Sequence, residues 1–201
     1  NPVMNEIVFP AAILQPPFFD MNADPAVNYG GIGAVIGHEM GHGFDDQGST
    51  YDGDGVLRDW WTAQDKEEFK QRTQKLVKQY DKFEPLPDVH VNGEFTLGEN
   101  IGDLGGLTIA YKAYQLSKEG NEAPVLDGFT GDQRFFMGWA QVWARKYRDA
   151  EMKRRIKVDP HSPSEYRANG VVKNMPEFIE AFDVKPGDKL YLAPEKRVKI
   201  W

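Results

Sequence analysis

Hydrophobic positions recur along most of this chain at helical spacing. Between Thr62 and Phe83, the residues Phe69, Leu76, Tyr80 and Phe83 fall on one side, at spacings of seven, four and three. Lys and Glu fill the positions between them, which predicts a long amphipathic helix with a solvated charged face. A second helix is predicted over about 97–117. Thr130 with Gln133 makes a capping box, and "RFFMGWAQVWARKY" carries the helix it starts to about Ala150. "MPEFIEAF" (175–182) predicts a further helix with Pro176 in its first turn. The run from about Val27 to Phe44 is also helical in pattern, although glycines crowd its start.

Few positions alternate. "EIVFPAAI" (6–13) has β-branched and apolar character and predicts a strand. Asn92-Gly93, inside the loop 84–95, marks a short hairpin. Prolines make 14–25 a loop, and 159–167 is a loop leading into a short helix. Segment 49–59 has the Asp/Gly content of a tight turn. Counted from Thr50 as a calcium loop, its twelfth position is Trp61 where a Glu is needed. The expectation is an α+β chain, predominantly α-helical with a small sheet, forming one domain over 1–201.

At 201 residues and 40% hydrophobic content the chain can bury a sizeable core. Its net charge of −7 argues against nucleic acid or an anionic membrane as partner. No run approaches eighteen apolar residues, so no membrane contact is expected from this segment. There is no signal-peptide pattern. Cysteine is absent, which removes disulfides and thiolate ligands and leaves the compartment open. The chain opens at Asn1 without a start Met, as a fragment or processed piece would.

Chemistry concentrates in "VIGHEMGHGFDD" (35–46). His38 and His42 are one helical turn apart, so both rings project from one face. Glu39 stands beside the first as a general base, the H-E-x-x-H arrangement of a zinc peptidase. A catalytic zinc takes a third protein ligand. "LGENIGDLGG" (97–106) offers Glu99, with Asp103 four residues on. Asp103 would accept a hydrogen bond from the non-ligating nitrogen of a histidine ligand. Read without the first motif, this pair is also what an ordinary solvated helix face carries. Of the other histidines, His90 lies in a polar loop and reads as exposed. His161, in "DPHSPSEYR" with Arg167 six residues on, could hydrogen-bond an oxyanion, and Arg167 could grip a carbonyl or carboxylate. Gly37, Gly41, Gly98 and Gly102 each precede a chemical residue, which suggests close approach of the two helix axes.

These segments, together with "NEIVFPAAILQPPFF", "DWWT", "AQVWARKYR" and the terminal "KIW", closely resemble the catalytic C-terminal part of the neprilysin and endothelin-converting-enzyme family of zinc metallopeptidases, in a bacterial-type member. The resemblance covers essentially the whole chain. It implies a thermolysin-like gluzincin domain binding one Zn2+ through His38, His42 and Glu99, and cleaving oligopeptides before large hydrophobic residues. Glu39 would act as base towards the water on zinc, Asp103 would orient a histidine ligand, and Asp45 would be a further supporting carboxylate. His161 would stabilise the oxyanion, and Arg167 would bind the carbonyl on the leaving-group side. The pocket for the residue after the cut maps onto Ile13, Phe18, Ala34, Val35, Val142 and Trp143. The family's helical covering domain is not in this sequence and is expected as another chain or a removed segment. Where animal members carry cysteines this chain has Lys75, Ala144, Val184 and Val198. The resemblance leans towards an extracellular or periplasmic setting. It also leaves Gly37 as the one matching glycine of its motif.

Overall fold

A computed structural model describes all 201 residues. Helical backbone runs unbroken from Pro25 to Phe44. It comprises α1 (Pro25–Asn28), a π turn (Tyr29–Gly33), α2 (Ala34–Gly41) and a final 3-10 turn (His42–Phe44). Within the π turn the Ile32 N–H donates to Phe18 O at 2.8 Å, which ties the preceding loop to this helix. Helix α3 (Ala63–Tyr80) is capped by Thr62, whose side chain accepts from Asp65 N–H. Helices α4 (Leu97–Ser117), α5 (Gly131–Val142), α6 (Asp149–Val158), α7 (Ser164–Val172) and α8 (Pro176–Ala181) follow.

Helix α4 is the axis of the molecule. It packs against α2, α3 and α7. Ile101 and Leu107 of α4 are fully buried together with Leu76 and Tyr80 of α3, Phe135 and Trp139 of α5, and Val171 of α7. Each such side chain contributes about 1.5–3 kcal/mol on burial. That packing fixes the face of α4 that carries Glu99 and Asp103.

The closest approach of α2 to α4 is between backbones. A Cβ at Gly37 would lie 2.7 Å from Gly106 O and 2.9 Å from Gly106 Cα, so neither side has a flexible group to give way. At Gly41 an added Cβ would meet only Gly102 Cα, at 3.7 Å, and at Gly43 nothing lies within 4 Å. The backbone approach therefore rests on Gly37 against Gly106, while Gly102 is close-packed against the His38 ring, where an added Cβ would lie 2.8 Å from Nδ1.

Three expectations are corrected. The strand over 6–13 does not form: the segment is exposed except for the partly buried Phe9 and Ile13, and it carries only a 3-10 turn, Ala11–Ile13. No neighbouring strand pairs with it, and Pro10 has no N–H to offer one. The small sheet is accordingly absent, with only isolated bridges at Tyr51↔Leu57, Leu86↔Val89 and Leu126↔Phe129. No hairpin forms at Asn92-Gly93. There the Gly93 N–H donates to Asp81 Oδ1 at 2.7 Å, and the chain turns directly into α4. Helix α5 stops at Val142 rather than near Ala150, and α6 is a separate helix. No helix is long and apolar enough to cross a membrane.

Candidate metal centre

The two helices that meet at Gly37 and Gly106 bring one residue set together from α2 and another from α4. His38 and His42 lie one turn apart on the first, with ring centroids 4.6 Å apart and planes nearly perpendicular. One potential ligand atom each from His38, Glu39 and His42 falls within 4.8 Å of the others. From α4, the Glu99 oxygens stand 3.1 Å from His38 Nε2 and 3.6 Å from His42 Nε2.

The opposite nitrogens are engaged by carboxylates. His38 Nδ1 donates to Asp103 Oδ1 at 2.8 Å, and His42 Nδ1 donates to Asp45 Oδ2 at 2.7 Å. An ionised carboxylate only accepts, so each Nδ1 carries a hydrogen, which leaves Nε2 as the nitrogen that can take a metal in place of a proton. Asp45 is itself fixed: its Oδ1 accepts the amides of Gln47 and Gly48, at 2.8 and 2.7 Å.

Asp103 is buried and serves two partners. Arg167 Nε donates to its Oδ2 at 2.7 Å and an Arg167 terminal nitrogen to its Oδ1 at 2.6 Å, a bidentate pair. The Arg167 guanidinium also lies 4.1 Å from the Trp143 ring centroid. Burial would raise the Asp103 carboxyl, but Arg167 and His38 more than offset it and hold the group below its ordinary range.

His161 reaches the cluster from the loop before α7. Its Nδ1 donates to Asp159 Oδ1 at 2.7 Å, and its Nε2 lies 3.1 Å from Glu99 Oε2. The neighbouring Glu99 carboxylate raises its pKa against the opposing effect of burial, and Asp159 adds to the rise. The following residue locks this loop to α4: Ser162 Oγ donates to Asn100 Oδ1 at 2.8 Å, and both residues are buried. Asp159 and Asn100 carry no spacing signal in the sequence. Asp159 could have been found only as the carboxylate two residues before His161, and Asn100 only as the polar residue inside "GENIGD".

Glu99 Oε2 is buried near three nitrogens yet in hydrogen-bond alignment with none of them. Burial would raise this carboxyl, but His161 and His38 outweigh it and hold it well below the usual carboxylate range. Two imidazole lone pairs and a carboxylate oxygen without an aligned donor are the donor set of a zinc site with an open position. The residues present fit that ion.

Next to them is a cavity of about 120 Å³ walled by Phe18, Val35, Trp139 and Trp143, with His38, Glu39, His161 and Arg167 at its polar side. Of the residues expected to form a pocket, Phe18, Val35 and Trp143 line this cavity. Ala34 and Val142 lie in the hydrophobic core, and Ile13 is half-buried and not among the lining residues. Trp139 was not among the candidates. His90 is exposed in its loop.

Residues 1–198 match the profile of Peptidase family M13. Human neprilysin is 48% identical over 98% of this chain, and mouse endothelin-converting enzyme 1 is 46% identical over all of it. Among solved structures, the Mycobacterium tuberculosis zinc metalloprotease Zmp1 in complex with an inhibitor is 65% identical, with a TM-score of 0.98 over the whole chain. PepO from Lactobacillus rhamnosis is 39% identical, with a TM-score of 0.89. The chain spans 27% of the neprilysin sequence and 32% of the Zmp1 chain.

Proposed function

The chain belongs to peptidase family M13, and we propose that it is the catalytic part of a zinc-dependent metalloendopeptidase acting on oligopeptides. One observation carries this reading: the Nε2 atoms of His38 and His42 face the Glu99 carboxylate, while each Nδ1 is held by a carboxylate of its own. Two histidines from one helix and a Glu from a second is the gluzincin format, and we read the domain as thermolysin-like on that basis.

His38, His42 and Glu99 would hold one Zn2+. When bound, zinc supplies Lewis acidity towards a water and towards the carbonyl to be cleaved. Glu39, on the cavity side, takes the proton of the attacking water on its carboxylate and returns it to the departing amine. His161, oriented by Asp159 and with a raised pKa, donates from Nε2 to the oxygen that becomes negative. Arg167 keeps N–H groups beyond the two used by Asp103 and offers them to the carbonyl on the leaving-group side. The apolar wall of Phe18, Val35, Trp139 and Trp143 takes the side chain after the cut, which favours large hydrophobic residues there. A helical part covering this cleft would come from another chain or a removed segment, and the greater length of the relatives leaves room for it.

The test is a pair of variants in the zinc-loaded protein. Glu39→Gln keeps one zinc per chain by elemental analysis and loses about 10²–10⁴ in kcat on a short peptide. His38→Ala loses the metal itself, and a chelator abolishes wild-type cleavage. Robust hydrolysis by Glu39→Gln removes the assigned base.

A further inference from the structure

His161 is held at two levels. Within its own loop, Asp159 Oδ1 accepts from the ring Nδ1 at 2.7 Å and from the His161 backbone N–H at 3.1 Å. Both bonds orient the imidazole relative to residues 159–161, but neither ties the loop to α4, which carries Glu99. The tie is made one residue on. Ser162 Oγ donates to Asn100 Oδ1 at 2.8 Å, and it is the one hydrogen bond between residues 159–163 and α4. The next link along the chain is the Arg167 fork on Asp103. Ser162 follows His161 and Asn100 follows Glu99, so the bonded pair lies directly beside the pair that faces the ion's seat.

The direction of this bond is set from α4. Thr96 Oγ1 has a single hydrogen, which it donates to Asn92 O at 3.0 Å. It can therefore only accept from Asn100, whose Nδ2 stands 2.9 Å away. That turns the Asn100 amide nitrogen towards Thr96 and its oxygen towards the loop, where the Ser162 hydroxyl must donate. Thr96, Asn100 and Ser162 are 4%, 1% and 3% exposed, so water competes for none of these bonds. The series from Asn92 through Thr96 and Asn100 to Ser162 thus runs from the start of α4 into the loop with one hydrogen at each step. A donor that meets charge as it develops is effective only when already in place, and a displacement of about 1 Å can cost about 10²-fold in rate.

Resting on the peptidase reading above, and on His161 as its oxyanion donor, we propose that Asn100 and Ser162 are positioning residues for the reaction. Their buried bond fixes His161 Nε2 relative to Glu99, 3.1 Å away, and so keeps the donor in register with the metal ligands. Both act through His161. Asp159 sets which way the ring points, and the Asn100–Ser162 bond sets where the ring stands.

The experiment measures kcat, KM and zinc content for the zinc-loaded full-length protein on a short neutral peptide, in Ser162→Ala, His161→Gln and the two combined. Ser162→Ala removes the bonding hydrogen and leaves the loop tied at Arg167 alone. It is expected to lower kcat about 10–100-fold, with KM and zinc content unchanged. His161→Gln by itself is expected to lower kcat about 10²–10³-fold. In that background Ser162→Ala should add no more than about twofold, because the group it positions is gone. Asn100→Ala tests the bond from the other side, and adding Ser162→Ala to it should lower kcat no further. Wild-type kcat in Ser162→Ala overturns the proposal. So does a loss in the His161→Gln background as large as in the wild type, which a purely structural bond would give. Wild-type turnover by His161→Gln removes the oxyanion assignment and this inference with it, and failure of the wild type to cleave removes the peptidase reading itself.

Discussion

Asp103 holds His38 by its Nδ1 at 2.8 Å from a position only 1% exposed. The same carboxylate neutralises Arg167, so one buried acid orients both the His38 imidazole and the Arg167 guanidinium. Asp103→Ala therefore removes two things at once. Zinc affinity is expected to fall about 10–100-fold. The buried Arg167 left behind destabilises the fold by about 3–5 kcal/mol. Zinc competition with a chromogenic chelator reads the first, and denaturant unfolding reads the second. A variant with wild-type stability would show that Arg167 finds another partner.

Asp159 acts on His161 from two residues away, through both the ring Nδ1 and the backbone amide. Asp159→Asn is expected to lower kcat about tenfold or more, leaving zinc content unchanged. Its pH profile should shift as well, because the acid helps to raise the His161 pKa. An unchanged profile would place Asp159 in loop structure alone.

Gly37→Leu is expected to separate α2 from α4 and cost about 1–3 kcal/mol or more, since the side chain must enter backbone rather than a yielding side chain. Gly41→Ala should be neutral or mildly stabilising, because its Cβ meets only an ordinary contact. Thermal melts of the two variants, with zinc titrations, check the contrast. Normal folding and zinc binding by Gly37→Leu would remove the close-approach argument.

In the metal-free protein, burial lowers the His38 pKa, but Asp103 and Glu99 raise it by more, from 6.5 to about 9. A folded-state pKa above the unfolded one stabilises fully below the unfolded value and is lost as pH rises through the folded value. The metal-free protein should thus lose this contribution between pH 6.5 and about 9. The zinc-loaded protein should not, since the ion takes the nitrogen that the proton would occupy. Melting temperatures of both forms across that range, with His38→Gln as reference, measure it. A flat metal-free profile would contradict the assignment.

What could be read from sequence was local. The bounds of α4 and the Thr130–Gln133 capping box follow from near-neighbour spacing, and the structure has both. So do the two histidines on one helical face. The end of α5 could not be read this way: nothing between Gly138 and Ala150 is a helix breaker. The chain leaves the helix where Trp143 meets the Arg167 guanidinium and Tyr147 bonds to Ser164, contacts 24 and 17 residues apart in sequence. The strand at 6–13 failed for the converse reason, since β character without a partner edge makes no sheet. Within the site, the donors at 38, 42 and 99 carry motif signals. The Asp103–Arg167 fork spans 64 residues and carries none.

The Gly37–Gly106 contact has a consequence for variation. Where two supports touch through main chain, the span between them is fixed by atoms common to every residue type. Substitutions that keep Gly37 and Gly106 can change what surrounds the histidines and Glu99, Gly102 excepted because a side chain there would meet the His38 ring, while the gap itself stays set by main chain. Diversification of such a protein is steered outward, to cavity walls such as Val35 and Trp143, which a new side chain can reshape without altering that span.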